Sequence, residues 1–263
     1  MFDTIPVVNV AQAAAKTILE SPLICEAIIR RSSPYLEGRQ RVGIVGIGNI
    51  GAALLRQLHR NGHSVTWFDK AADPGINAVP HEFRSPDVGT LLKRCDVVFG
   101  CTGSDALGSD WIGTLDHDLT LISCSSEDLE FRPLITLLRK RFRAKGEGHA
   151  VDIQASTGQA TITIARGGFP INFDGSPESV PTADIQLTRG LLLGGVIQAL
   201  GSDRRPGISM LAPSIQQHVV ESWLRHRPER QSDYKAEIIS CFQNNDWIAQ
   251  HSLGHAGPSP GWL

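Results

Sequence analysis

Long apolar runs are missing from this 263-residue chain: none approaches the ~20 residues needed to span a bilayer, so no membrane-spanning helix is expected. An excess of either charge is missing too, with 25 Lys and Arg against 27 Asp and Glu and a formal net charge of −2. The densest basic run, RKRFRAK at 139–145, suits the cationic end of a helix better than a phosphate-binding patch. Neither a nucleic-acid nor a membrane partner is expected. The five cysteines, Cys25, Cys95, Cys101, Cys124 and Cys241, are odd in number and form no CxxC, so they read as reduced, small apolar residues. None of the nine histidines forms HxxxH or another metal spacing on a helix, and no metal site is expected. The N-terminal MFDTIPVVNV carries an acid where a signal peptide has bases. Together these features predict a cytoplasmic protein.

What remains is ordinary for a globular protein: 41% hydrophobic and 20% charged residues, enough for one α/β domain with helical additions. Residues 7–33 read as a helix with a buried stripe of Ala11, Ala14, Ala15 and Ile18, and with Pro22 as a kink. SSPYLEGRQ reads as a linker. Strand and helix signals then alternate. RVGIVG (41–46), HSVTWFD (63–69), CDVVFGCTG (95–103) and DLTLISCS (118–125) are strands. NIGAALLRQLHRNG (49–62), SPDVGTLLKR (85–94) and the segment 127–144 are helices. ATITIARGGFPINF (160–173) reads as two short strands across a Gly-Gly turn. TADIQLTRGLLLGGVIQAL (182–200) is a long apolar helix, expected to be buried in the domain or at a dimer interface. Further helices are expected at 211–226 and 232–250. The alternation predicts an α/β, Rossmann-type, doubly wound and mostly parallel sheet with added N- and C-terminal helices. The expected segments are 1–40, a helical lead-in; 41–205, the dinucleotide-binding domain; and 206–263, C-terminal helices and tail.

The strongest motif is GIVGIGNIGAALL, which sets Gly46, Gly48 and Gly51 in GxGxxG between a strand and a helix. The following strand ends in Asp69, 18 residues beyond Gly51, and that context completes a dinucleotide fingerprint. Gly46 permits the tight turn, Gly48 the close approach of a pyrophosphate, and Gly51 the packing of helix on strand. Asn49 and Ile50 open the helix, whose free N–H groups attract phosphate. An acid at Asp69 suits ribose hydroxyls and repels a 2′-phosphate, so the expected cofactor is NAD. Thr102 and Gly103 end a strand at the carboxyl edge of the sheet, where ligands bind in such folds, and are expected to line the nicotinamide half.

From about Pro6 to Leu200 the chain resembles the cofactor half of the S-adenosylhomocysteine hydrolases. The resemblance rests on PVVNVAQAAAK, GIVGIGNIG, the acid-ended second strand, VVFGCTG, LISCSSEDLEF and GGFPINFDG. It implies tightly held NAD and a helix carrying Asn9-Val10 and a catalytic lysine, Lys16, with Glu20 and Ser21 at the family's aspartate and asparagine positions. It also implies that Asn172 contacts the nicotinamide carboxamide. The family's large substrate domain, its histidine after the fourth strand, its Gly-His-Pro and its C-terminal lysine and tyrosine have no counterpart here. Adenosylhomocysteine hydrolysis is therefore not expected.

Lys16 and Glu20 stand one turn apart, and two readings stay open. They are a solvated i, i+4 pair, or Lys16 moves the proton that accompanies hydride transfer with Glu20 orienting its ammonium. Cys25 and His149 read as a buried small residue and a surface-loop histidine. The expected function is an NAD-dependent oxidoreductase on a small polar metabolite, acting as a homodimer. The alternatives are a non-catalytic NAD-binding protein or cofactor subunit, and a lyase or hydrolase that recycles NAD in place.

Overall fold

The computed structural model describes residues 5–39, 41–71, 80–105, 107–125, 129–142, 145–146, 151–173, 180–201 and 206–230. The helix expected at 232–250, Cys241 and His149 lie outside them. In chain order, β1 (Pro6–Asn9) precedes a π-helical turn at Lys16–Glu20 that runs into α1 (Ser21–Leu36). Next come β2 (Arg41–Val45), α2 (Asn49–Arg60), β3 (Ser64–Phe68), α3 (Val88–Leu92), β4 (Val97–Gly100) and β5 (Leu119–Ser123). The series closes with α4 (Arg132–Phe142), β6 (Ile153–Ser156), β7 (Thr161–Ile164), α5 (Thr182–Leu200), β8 (Gly207–Met210) and α6 (Pro213–Arg225).

The chain divides into two compact units, Pro22–Val180 and the combination of Met1–Ser21 with Pro181–Leu263. This division does not coincide with the expected segments 1–40, 41–205 and 206–263. α1 past Ser21 packs into the sheet unit through Cys25 and Ile28, whereas α5 packs on the N-terminal residues and α6.

In the unit 22–180 the sheet order is β3-β2-β4-β5-β7-β6. Every pair is parallel except β6–β7. A single parallel bridge from Trp67 to Arg84 adds one more turn of chain outside β3. Alternate residues face opposite sides, as the two-residue period of a strand requires. Val42, Ile44, Val97 and Phe99 pack under α1 and α2. Val45, Val98, Leu119 and Leu121 pack with α3 and α4 residues such as Leu91 and Leu138. With helices on both faces, the expected doubly wound fold is present. The polypeptide leaves β2 toward β3 on one side and later returns to β4 on the other, so the loops after β2 and β4 part company at a topological switch point.

Three local expectations are corrected. Pro6–Asn9 is a strand paired in parallel with Gly207–Met210, not the start of a helix. The helix begins at Ala14, and the π-helical turn shifts its phase, so Ala13, Ala14, Ala15 and Leu19 are buried while Ala11 is exposed and Ile18 half-buried. That wider turn lies just before Pro22, which has no N–H to give, and the helix continues past it. The SSPYL stretch is likewise helical to Leu36, with Ser32 Oγ donating back to the Ile28 carbonyl at 2.7 Å. The hairpin at 160–173 is built differently as well. β7 pairs with β6 across Thr157–Ala160, and the ARGG stretch is a turn, because Arg166 and Gly167 both adopt left-handed backbone (φ 51 and 66).

In the unit 1–21 with 181–263, α5 packs on β1 and α6. A Cβ on Gly194 would lie 2.5 Å from Ile215, and one on Gly195 would lie 2.6 Å from Val10. The small residues of GLLLGG are thus used within this unit. α5 nonetheless leaves Leu192, Leu193, Val196, Ile197 and Leu200 exposed, so the helix is only partly buried. Among the described residues, no helix is long and apolar enough to cross a membrane, and no group of three or more His, Cys, Asp or Glu side chains could hold a metal.

Candidate functional site

The switch point carries a cleft of about 330 Å³ lined by Val45, Gly46, Gly48, Phe68, Asp69, Lys70, Cys101, Thr102 and Ser104. Its floor is the glycine loop. Gly46 has φ +95, and a Cβ there would sit 2.8 Å from both the Cys101 carbonyl and Thr102 Cγ2. A Cβ on Gly51 would lie 1.9 Å from the Gly46 oxygen. Both glycines are demanded by packing. Gly48 differs: its φ is −73, and a Cβ there would meet nothing within 4 Å. The space above Gly48 is open, at the N-terminal end of α2, where Asn49 and Ile50 begin the helix. This is the shape a pyrophosphate needs.

Asp69 follows β3 at the rim of the cleft. Its Oδ2 accepts from the Ile47 N–H at 2.6 Å and its Oδ1 from the Ala71 N–H at 2.8 Å. The carboxylate is therefore fixed against the glycine loop. Arg84 donates to the Asp69 and Ala71 carbonyls at 3.2 and 3.0 Å and lies over the Trp67 ring, which holds the segment after Asp69 in place.

Thr102 and Gly103 form the opposite rim, and a residue that sequence reasoning missed holds them. Glu130 is 1% exposed, and its Oε1 accepts from Thr102 N at 2.9 Å and contacts Thr102 Oγ1 at 2.7 Å. Its Oε2 accepts from Gly103 N at 3.1 Å and contacts Ser125 Oγ. Burial pushes the Glu130 carboxyl above the ordinary range, against the bonds from Thr102 and Gly103, which favour the ionised form. The sequence signal was faint: EDLEF offers three acids ahead of α4, and no period says which one turns inward.

Farther along the sheet edge, Ile171 N donates to the Ser123 carbonyl at 2.9 Å, bringing the loop after β7 to the end of β5. Asn172 is buried, and its Oδ1, like Ser123 Oγ, has no hydrogen-bond partner among the described residues. A buried acceptor left unpaired is costly, so both atoms suit a ligand's polar groups. The thiols are a different matter. Burial pushes Cys25 and Cys124 well up and Cys95 up to about 12, so none of these three is an activated nucleophile.

Lys16 and Glu20 belong to the other unit. Lys16 Nζ lies 2.8 Å from Glu20 Oε2, with side chains 31% and 12% exposed. Glu20 Oε1 accepts from Thr188 Oγ1 at 2.8 Å, so α5 fixes the carboxylate that holds the ammonium. Nearby, Ala15 N donates to Gln216 Oε1 at 3.1 Å. The larger groove of this unit, about 720 Å³ between α5 and α6, is chiefly apolar and does not touch the pair.

Residues 30–112 match the family model for the D-isomer specific 2-hydroxyacid dehydrogenase, NAD binding domain. The matched stretch contains Gly46, Gly48, Asn49, Ile50, Gly51, Asp69, Thr102 and Gly103, and it agrees with the expected cofactor, NAD. Lys16, Glu20, Glu130 and Asn172 lie outside it. The NAD-binding part of the resemblance drawn from the sequence is thereby supported, and the adenosylhomocysteinase family itself is not shown. The chain is also 31% identical over 201 residues to an uncharacterized protein of Mycobacterium tuberculosis, Rv0104 in strain H37Rv and MT0113 in strain CDC 1551. That similarity covers 74% of this chain and 37% of the relative, so the chain matches little more than a third of the relative's length. Among solved structures, a 2-hydroxyacid dehydrogenase from Ketogulonicigenium vulgare shares 16% identity over 73% of this chain and 69% of its own, with a TM-score of 0.43. The D-lactate dehydrogenase of Lactobacillus jensenii, solved with NAD+, shares 14% over 69% and 67%, with a TM-score of 0.40.

Proposed function

We propose that the chain binds NAD at the switch point and acts as an NAD-dependent oxidoreductase on a small 2-hydroxy acid or a similar polar metabolite. The observation that carries this reading is the open space above Gly48 beside the fixed carboxylate of Asp69, within the stretch that matches an NAD-binding domain. Gly48 and the start of α2 take the pyrophosphate, and Asp69 accepts from the adenosine ribose hydroxyls. Thr102 and Gly103 border the nicotinamide half, and the unpaired Asn172 Oδ1 suits the carboxamide N–H. Bound NAD supplies a hydride acceptor. Lys16 moves the accompanying proton, and Glu20, anchored by Thr188, orients its ammonium. The exposed apolar row on α5 supports the expected homodimer. Buried thiols at Cys25, Cys95 and Cys124 are compatible with the reducing cytoplasm.

The anchored Lys16–Glu20 pair also favours a second reading, a lyase or hydrolase in which NAD is reduced and reoxidised within one cycle. The length of the curated relative supports a third, a cofactor unit serving a substrate domain carried elsewhere. One experiment separates them. The purified chain is incubated with NAD and a panel of small D-2-hydroxy acids while the absorbance of reduced nicotinamide is followed. Sustained accumulation of NADH supports the dehydrogenase. Substrate conversion without net NADH supports recycling, and no conversion of any acid supports the cofactor unit.

A further inference from the structure

The loop after β4 is held by a single buried side chain. Glu130 precedes α4 by two residues, yet its carboxyl reaches across to β4. The last residue of that strand is Gly100, where a Cβ would lie 2.6 to 2.8 Å from Glu130 Cγ, Cδ and Oε1. No larger residue fits at Gly100 while Glu130 keeps its place. Both backbone N–H groups at the tip, Thr102 and Gly103, point to the two oxygens of this one carboxyl. Ser125 Oγ, at the end of β5, contacts Oε2 and accepts from Gly103 N at 3.2 Å, tying the ends of two adjacent strands to the same group. Thr102 Oγ1 lies between two acceptors, Glu130 Oε1 at 2.7 Å and the Ser104 carbonyl at 2.6 Å. One hydroxyl proton cannot serve both, so Glu130 and the Ser104 carbonyl compete for it, while Glu130 alone of the two also holds the Thr102 backbone N–H.

We propose that Glu130 is a positioning residue for the nicotinamide half of the site, fixing the Thr102–Gly103 rim so that NAD is held in a productive pose. This rests on the NAD-binding reading above. Glu130 is buried behind the rim and does not line the cleft, so it acts through Thr102 and Gly103. Among the described residues, the hydrogen bonds of the glycine loop and Asp69 go to groups other than Glu130. Its loss therefore weakens the nicotinamide end selectively and spares the adenosine and pyrophosphate end.

The test compares two ligands, NADH and ADP-ribose, which lacks the nicotinamide, by calorimetric titration of the full chain. Glu130→Gln keeps the size of the side chain, but its amide nitrogen cannot accept from Gly103 N. It should weaken NADH by about tenfold or more and leave ADP-ribose within about twofold. Thr102→Val, which removes the hydroxyl's contacts with Glu130 and Ser104 but keeps both backbone bonds to Glu130, should show the same selectivity more weakly, and Thr102→Ser should restore binding. If Glu130→Gln does not fold, Thr102→Val and Thr102→Ser decide. Unchanged NADH affinity, or equal losses for both ligands, would overturn the positioning role. Failure of the wild-type chain to bind either ligand would overturn the cofactor reading and this inference with it.

Discussion

Asp69 Oδ2 lies 2.6 Å from the backbone nitrogen of Ile47, so the acid after β3 is locked to the glycine loop after β2. Replacing it should therefore affect both the ribose site and the shape of the loop. Asp69→Ser removes a charged acceptor, a change typically worth ~1.5–3 kcal/mol. NADH affinity should fall about ten- to hundredfold, and the ratio of NADPH to NADH affinity should rise because nothing then repels the 2′-phosphate. Parallel fluorescence titrations with the two reduced cofactors measure both changes.

The glycines of the loop separate stability from binding. Gly51→Ala places a methyl 1.9 Å from the Gly46 oxygen, and overpacking of this kind costs ~1–3 kcal/mol or more. The melting temperature should fall by at least several degrees. Gly48→Ala meets no protein atom within 4 Å and keeps an ordinary φ, so its melting temperature should match the wild type. Its methyl would occupy the open space, and NADH binding should be lost. Thermal scans with and without NADH distinguish the two variants.

Lys16→Met should reduce turnover by ~100-fold or more, the usual scale of general acid–base catalysis, while leaving NADH affinity near the wild-type value. Glu20→Gln weakens the 2.8 Å ion pair but retains a partner for Thr188, so its loss of turnover should be smaller. Equal turnover in Lys16→Met and the wild type would leave the pair as a solvated contact.

The exposed side of α5 should drive self-association. Leu193→Glu and Ile197→Glu put charges into the exposed row formed by Leu192, Leu193, Val196, Ile197 and Leu200. Light scattering should show a dimer for the wild type and a monomer for the double variant, with similar circular dichroism. A wild-type monomer would contradict the dimer.

Much of this architecture was legible in the sequence because its signals are local. The run RVGIVG, the spacing of Gly46, Gly48 and Gly51 and the Asn-Gly after α2 specify strand, turn and helix within a few residues. Asp87 likewise caps α3 from one residue before it, accepting from Thr90 N at 2.7 Å. The failures needed partners distant in sequence. Pro6–Asn9 is a strand only because Gly207–Met210 lies beside it. Arg166 adopts a left-handed backbone while Asp152 accepts from its N–H at 2.8 Å and the Phe173 carbonyl from its guanidinium at 2.9 Å. Glu130 could not be singled out from EDLEF until Thr102, Gly103 and Ser125 were seen to converge on it. The Lys16–Glu20 spacing was readable, whereas the Thr188 anchor, 168 residues away, was not.

An NAD site at the switch-point cleft must bind the reduced cofactor in the absence of any substrate. Titrating the purified full chain with NADH and NADPH, and following nicotinamide fluorescence, tests it most directly. NADH should bind saturably, more tightly than NADPH, and this binding should be abolished in Gly48→Ala. No saturation with either cofactor, or binding unchanged in Gly48→Ala, would contradict it.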